Sequence, residues 1–317
     1  LYKLPQELRD EIYLQVFSSQ ELKFTSKGEV RRPRSKNLLA LVSTCHQIRF
    51  EIGDSWLKHV WFSFGDMVTL LDVLTAIPSQ RLSNIRNLHI SRPYPLVLSR
   101  LNEAVENGIA TRMIQPYRLN GVLRLLPGLR LDKFVVHAGF QLGDNTESHI
   151  LYDILDELIR TSNGWKELHF LTPDPNLLSW KAVPQPNSTG DEPRRMGPQP
   201  QYWREALAVR DGTRSESSVA IYLEPDVGPS HRGRAGLRFE QTLPDWLSTT
   251  DYGYVEDAFL VLETRLQQGL KTHVVVKRGK GVDYEEKLGS PFVKHDIRLD
   301  HPGKDWERLR DNYIEPW

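Results

Sequence analysis

Cysteine is almost absent from this chain of 317 residues: Cys45 is the only one. One thiol forms no internal disulfide. It also excludes zinc sites of clustered cysteines and iron–sulfur clusters held by cysteine alone. Secreted proteins of this size usually carry several bridges, so a reducing compartment is expected, the cytoplasm and/or the nucleus. No apolar run approaches the ~20 residues that span a bilayer, so no membrane partner is expected. Net charge is missing as well, since 41 acidic residues balance 41 basic ones. A balanced chain has no global field drawing it to nucleic acid or anionic lipid, and any such contact must come from a local patch. There is no G-x-S-x-G elbow and no G-x-x-x-x-G-K-[ST] phosphate loop. Cys45 sits among apolar helix positions, where a thiol is inert packing. No catalytic residue, cofactor or metal is therefore assigned. The chain opens on Leu1 rather than Met, so a piece of a longer protein is expected, and removal of a targeting segment stays open.

What is present is enough apolar material for a core. Hydrophobic residues make up 39% and charged residues 26%, a balance of one large or two modest domains rather than of disorder. Near the start, Leu4, Leu8, Ile12 and Val16 recur every fourth residue and line one face of a helix. Pro5 suits its first turn, and Glu7, Asp10 and Glu11 favour the positive end of its dipole. Residues 20–36 are polar and basic, ending in Arg31-Arg32-Pro33-Arg34-Ser35-Lys36, and predict a flexible or hairpin insertion. Leu38, Leu41, Val42, Cys45, Ile48, Ile52 and Trp56 then predict one long amphipathic helix. An extended aromatic stretch follows at 60–64.

Beyond Phe64 the pattern becomes alternating helix and strand. Val68 to Ile77 predicts a helix stopped by Pro78. The segments Ile85-Arg86-Asn87-Leu88-His89-Ile90, Leu131-Asp132-Lys133-Phe134-Val135-Val136 and Trp165-Lys166-Glu167-Leu168-His169-Phe170 share one spacing: apolar, two others, apolar, one other, apolar. That is the strand signature of leucine-rich repeats, in which the final pair faces one side of the strand. The segments lie 46 and 34 residues apart, against roughly 20–29 in regular repeats. The array is at best degenerate, and three ordinary α/β crossover units are the favoured reading. Ile150 to Ile159 forms the cleanest helical stripe. Residues 173–202 are rich in Pro, Asn, Ser and Gly and predict a long surface loop or a disordered insertion. Strands are predicted at 218–223 and 272–276, with a helix over 255–270 between them.

Other clusters carry weaker chemistry. Around His295-Asp296-Ile297-Arg298-Leu299-Asp300-His301, a strand would put the two carboxylates on one face, off the face of the histidines and with Arg298 between them. A polar surface strand or turn is expected there. His89, His137, His169 and His273 all fall on or beside predicted strands and could line one surface. Arg31, Arg32, Arg34 and Lys36 form a basic patch suited to phosphate contact or nuclear import, as well as to an ordinary solvated loop. A second basic run lies at Lys277, Arg278 and Lys280. The sequon at Asn187 matters only in a secreted protein.

The most specific pattern is at the N-terminus. Leu4-Pro5-Gln6-Glu7-Leu8 with Ile12, followed by Leu38-Leu39-Ala40-Leu41-Val42-Ser43-Thr44-Cys45-His46-Gln47-Ile48-Arg49, resembles an F-box. It resembles more closely the F-box-like heads of filamentous-fungal proteins of unknown function, which read L-P-x-E-L-R-x-x-I-Y and then C-x-Q-I-R-x-E. Arg9, Tyr13, Gln47, Ile48, Arg49, Glu51 and Phe62 fall into that pattern. The resemblance covers about the first 64 residues, and the insertion at 18–37 departs from compact F-boxes. It implies a head that docks on a Skp-type adaptor of a cullin ubiquitin ligase through Leu4, Pro5, Leu8 and Ile12, and a body that recruits a target. The same apolar face could instead pack on the body.

These readings predict an α/β (mixed) fold: an F-box-like helical head at 1–64, and a degenerate leucine-rich-repeat-like body at 65–317 with a proline-rich insertion at 173–202. The expected function is non-enzymatic protein recognition, as a substrate receptor of a ubiquitin ligase. Two alternatives stand beside it. One is a nuclear or chromatin-associated adaptor using the basic loop to reach nucleic acid. The other is an enzyme whose site is assembled from distant residues.

Overall fold

The structure is a computed structural model. It describes residues 4–25, 30–31, 46–106, 109–138, 145–162, 164–173, 177, 199–225, 270–279 and 297–314. The strands are β1 (Glu21–Phe24), β2 (Val30–Arg31), β3 (Trp61–Phe64), β4 (Asn87–Ile90), β5 (Leu96–Glu106), β6 (Ile109–Tyr117), β7 (Leu131–His137), β8 (Trp165–Thr172), β9 (Ser218–Pro225) and β10 (Leu270–Lys277). The helices are α1 (Gln6–Ser18), α2 (His46–Ile52), α3 (Met67–Leu74), α4 (Ser79–Leu82), α5 (Leu119–Leu123), α6 (Asn145–Thr161), α7 (Gln199–Asp211), α8 (Ile297–Asp300) and α9 (Trp306–Arg310), with a 3-10 turn at Ser55–Lys58. The chain divides into two compact units. Unit 1 comprises 1–134, 161–166 and 284–317, and unit 2 comprises 135–160 and 167–283.

In unit 1 the strands run in the order β2-β1-β3-β4, followed by the first residues of β7 and β8. β1 pairs antiparallel with β2, and both β1 and β4 pair parallel with β3, so the sheet is mixed. The predicted insertion is thus a hairpin whose first strand joins the sheet. Residues 1–64 contribute β1 and β3 to the same sheet as β4. Side chains alternate across it. Phe62 and Phe64 lie opposite Leu88 and Ile90, and all four are buried. Phe24 stacks on Phe64 with centroids 4.9 Å apart. The other face carries Trp61, Ser63, Asn87 and His89. α3 is capped by Asp66, whose carboxylate accepts the Thr69 N–H at 2.7 Å.

The three segments of shared spacing are consecutive in the strand order, β4-β7-β8. At their starts, Asp132 N–H donates to the Arg86 carbonyl at 2.7 Å, and Leu131 N–H to the Gly164 carbonyl at 2.8 Å. Every apolar position of the spacing is buried: Ile85, Leu88 and Ile90, then Leu131, Phe134 and Val136, then Trp165, Leu168 and Phe170. Gly164 turns the chain into β8 at φ +89°, a conformation that disfavours any side chain. A separate hairpin, β5–β6, pairs antiparallel from Leu96–Tyr117 onward with an irregularity between Leu101 and Val105. The C-terminal residues extend it. Ser99 N–H donates to the Asn312 carbonyl at 2.8 Å, and Ile314 N–H to the Val97 carbonyl at 3.0 Å.

In unit 2 the ends of β7 and β8 are followed by β10 and then β9. β10 is antiparallel to both β8 and β9. Val274 and Val276 oppose Phe170 and Leu168 on one side, and Ile221 and Val219 on the other, making a buried apolar face. α6 buries Leu151, Ile154, Leu155, Leu158 and Ile159 as its stripe predicts, and α7 buries Trp203 and Leu207. Asp156 on α6 ties the two helices together. It accepts from Arg160 Nε at 2.8 Å and from Trp203 Nε1 at 3.0 Å. Asp211, at the end of α7, is shared by two buried guanidiniums. Arg278 Nε donates to it at 2.8 Å and Arg210 Nε at 3.1 Å.

Three local expectations are corrected. The helix predicted through Trp56 ends at Ile52, because Gly53 adopts φ +47° and its N–H closes on the Arg49 carbonyl at 3.0 Å, a left-handed stop. The predicted loop at 173–202 gives way to α7 from Gln199. Around Asp300 the chain forms the short helix α8, not a strand. The helix predicted over 255–270 lies outside the described residues up to 269, and Leu270 opens β10 instead.

Candidate functional site

At the N-terminal end of unit 1 lie α1, α2 and the 3-10 turn. α1 buries Tyr13 and Phe17, and α2 buries Ile48 and Ile52. The Phe17 ring lies 6.3 Å from that of Trp56. A polar clamp joins the two helices. Arg9 meets Glu51 with two bonds, Nε to Oε2 at 3.1 Å and Nη2 to Oε1 at 3.2 Å, the fork geometry that a guanidinium and a carboxylate share. Tyr13 donates its hydroxyl to Glu51 Oε2 at 3.2 Å, and Gln47 donates Nε2 to Oε1 at 3.1 Å. Arg9 also donates Nη1 to the Leu4 carbonyl at 2.7 Å, tying down the chain just before the helix, and binds the Gln6 amide oxygen. Burial pushes the Glu51 carboxyl up, but Gln47, Tyr13 and Arg9 outweigh it, so Glu51 titrates below its ordinary value. Burial and the Glu51 carboxylate raise the Tyr13 hydroxyl. Four polar positions of the N-terminal pattern, Arg9, Tyr13, Gln47 and Glu51, therefore form one network.

This clamp decides which face of α1 packs. The buried stripe runs through Arg9, Tyr13 and Phe17, not through Leu4, Leu8, Ile12 and Val16. Leu4 is 36% and Leu8 52% exposed. Pro5 is exposed, and Ile12 and Val16 are half-buried. On α2, Phe50 is 89% exposed. The four adaptor-contact candidates thus lie on the solvent side of the helix or at its margin. Of the basic patch, Arg31 ends β2, opposite Lys23. Arg32, Arg34 and Lys36 lie outside the described residues, as does Cys45.

The strand histidines separate into two clusters. In unit 1, His89 Nδ1 sits 2.9 Å from Ser63 Oγ and 3.8 Å from Glu21 Oε1. His89 draws the Glu21 carboxyl down to about 2 against the effect of burial. The trio resembles a nucleophile–base–acid set in composition only. A proton relay places the hydroxyl on one ring nitrogen and the carboxylate on the other, whereas Ser63 and Glu21 both approach Nδ1. In unit 2, His169 Nδ1 lies 3.0 Å from His273 Nε2, and Glu167 Oε1 lies 2.9 Å from His169 Nε2. His137 ends β7, half-buried. Asp300 and His301 serve packing. Asp300 accepts from the Tyr117 hydroxyl at 3.1 Å and from Gln115 at 3.3 Å, and buried His301 lies 6.0 Å from the Tyr117 ring. Sequence reasoning missed the clamp, because its partners are 42 positions apart. The pattern itself held part of the signal, since it sets Arg9 on one helix and Glu51 on the other.

No family model, no curated protein and no solved structure matches this chain. No helix among the described residues is long and apolar enough to cross a membrane.

Proposed function

We propose that this protein is a non-enzymatic interaction module whose F-box-like head docks on a Skp-type adaptor of a cullin ubiquitin ligase, with the strand-rich remainder recruiting a target. The observation that carries the reading is the division of labour on α1. The Arg9–Glu51 clamp and the Tyr13–Phe17 stripe hold the helix in place, while Leu4, Pro5 and Leu8 are left at the surface. Exposed apolar side chains on a helix fastened from its other side supply the buried centre that a protein interface needs. The polar faces of the strands, with residues such as Trp61, His89 and Tyr222 only half-buried, suit target recognition.

The test is a pulldown of the purified protein by a Skp-type adaptor, with Leu8→Asp/Ile12→Asp as the comparison. Capture of the wild type, lost in a folded double variant, supports the receptor reading. A folded wild type that is not captured rejects it. A basic-loop adaptor predicts instead salt-sensitive nucleic-acid binding that is lost when Arg31, Arg32 and Arg34 are neutralised.

A further inference from the structure

We infer that unit 2 carries a two-histidine site for a divalent transition-metal ion, formed by His169 Nδ1 on β8 and His273 Nε2 on β10. This inference stands apart from the head and its adaptor. The strand register creates the site. β8 and β10 are antiparallel, with Val275 opposite His169 and Leu171 opposite His273. The two histidines are therefore diagonal neighbours on the same face, turned away from the buried Leu168, Phe170, Val274 and Val276. Their ring nitrogens lie 3.0 Å apart.

A third residue sets the chemistry of the pair. Glu167 Oε1 lies 2.9 Å from His169 Nε2. A carboxylate there accepts the Nε2 proton, which leaves the Nδ1 lone pair directed at His273. Carboxylate–histidine–metal arrangements use this device to fix the tautomer and raise ligand basicity. In the metal-free pair, a proton on His273 Nε2 fills the space between the rings; the ion displaces it, and His273 then binds as a neutral imidazole with its proton on Nδ1. An ion at ~2.05 Å from each nitrogen with a tetrahedral angle needs them ~3.3 Å apart, a few tenths of an ångström wider, with the two rings turned so that both lone pairs converge on it. Neutral imidazoles suit zinc, copper and nickel rather than magnesium or calcium. His169 and Glu167 keep 18% and 24% side-chain exposure, enough for an ion to enter. Lys277 Nζ, 3.7 Å from Glu167, and the Tyr222 ring, 5.9 Å from His273, edge the site. Among the described residues no group of three or more His, Cys, Asp or Glu side chains converges on one point. Solvent therefore completes the coordination, and the ion is exchangeable rather than structural.

Isothermal titration of the full chain with Zn²⁺ at neutral pH tests the site, with Cu²⁺ paramagnetic resonance as the ligand count. The expected result is one saturable equivalent and a two-nitrogen Cu²⁺ spectrum. His169→Gln and His273→Gln should each abolish both while keeping the circular dichroism of the wild type. Glu167→Gln should weaken binding about tenfold, and His46→Gln, exposed at the start of α2, should leave it unchanged. Binding should also fall in acid, because imidazole ligands must be deprotonated. No saturable binding by the wild type overturns the site. So does binding that survives either histidine substitution.

Discussion

Which stripe of α1 carries its packing can be settled by comparing Phe17→Ala with Leu8→Ala. Phe17 is 1% exposed and lies against Trp56, whereas Leu8 is 52% exposed. Truncating a buried Phe to Ala costs about 3–5 kcal/mol, the lost transfer energy plus the cavity left behind. Full burial of a Leu side chain is worth ~1.5–3 kcal/mol, so at half exposure Leu8→Ala should cost no more than ~1 kcal/mol. With a urea slope of ~2 kcal/mol/M, the unfolding midpoint should fall by ~2 M for Phe17→Ala and by ~0.5 M or less for Leu8→Ala. Tryptophan fluorescence across a urea series reads both, and Trp56 makes the head visible in the signal. Equal losses would mean that the stripe of Leu4, Leu8, Ile12 and Val16 is packed. The proposed docking surface on α1 would then not exist.

Three further outcomes follow from other sites. Asp211→Asn leaves Arg210 and Arg278 facing each other with side chains 5% and 3% exposed. Removing one partner of a buried ion pair costs ~3–5 kcal/mol, to be read by urea denaturation; a loss under ~1 kcal/mol would show that the cluster is hydrated. Arg210 is already pushed down to about 10 by burial and by Arg278. The Glu21 carboxyl is drawn from an ordinary 4.5 down to about 2. Its contribution to stability is therefore complete above pH 4.5 and lost as pH falls toward 2. Unfolding midpoints at pH 5.5 and pH 3 should differ less in Glu21→Gln than in the wild type, and an unchanged difference would disprove the pairing. Gly164→Ala should destabilise by more than ~1 kcal/mol, because a Cβ would sit at φ +89° and 3.3 Å from the Leu129 carbonyl oxygen; thermal unfolding measures it.

Strands buried on one face were legible because period-2 burial is written locally. The nine apolar positions of the three spaced segments are all inside, and the stripe of α6 packs as its spacing indicates. The hairpin β5–β6 was passed over although Asn107-Gly108 lies between its strands, a strong turn signal when flanked by extended apolar residues. α7 was hidden because its helical stretch adjoins a proline-rich run, and only Trp203 and Leu207 mark its buried side. On α1 two stripes compete. The more apolar one is the less buried one, because the other gains the Arg9–Glu51 clamp, a bond between residues far apart in sequence. Long-range pairs of this kind, including Asp211 with Arg278 and His169 with His273, depend on strand order and register, which local periodicity does not encode.

Hydrogen–deuterium exchange of the full chain, with and without a Skp-type adaptor, tests the central claim most directly. The account predicts slower exchange across residues 6–16 of α1 on mixing, absent in Leu8→Asp, with the strands of unit 2 unchanged. Exchange in α1 that is unaffected by the adaptor, or protection that persists in Leu8→Asp, would contradict it.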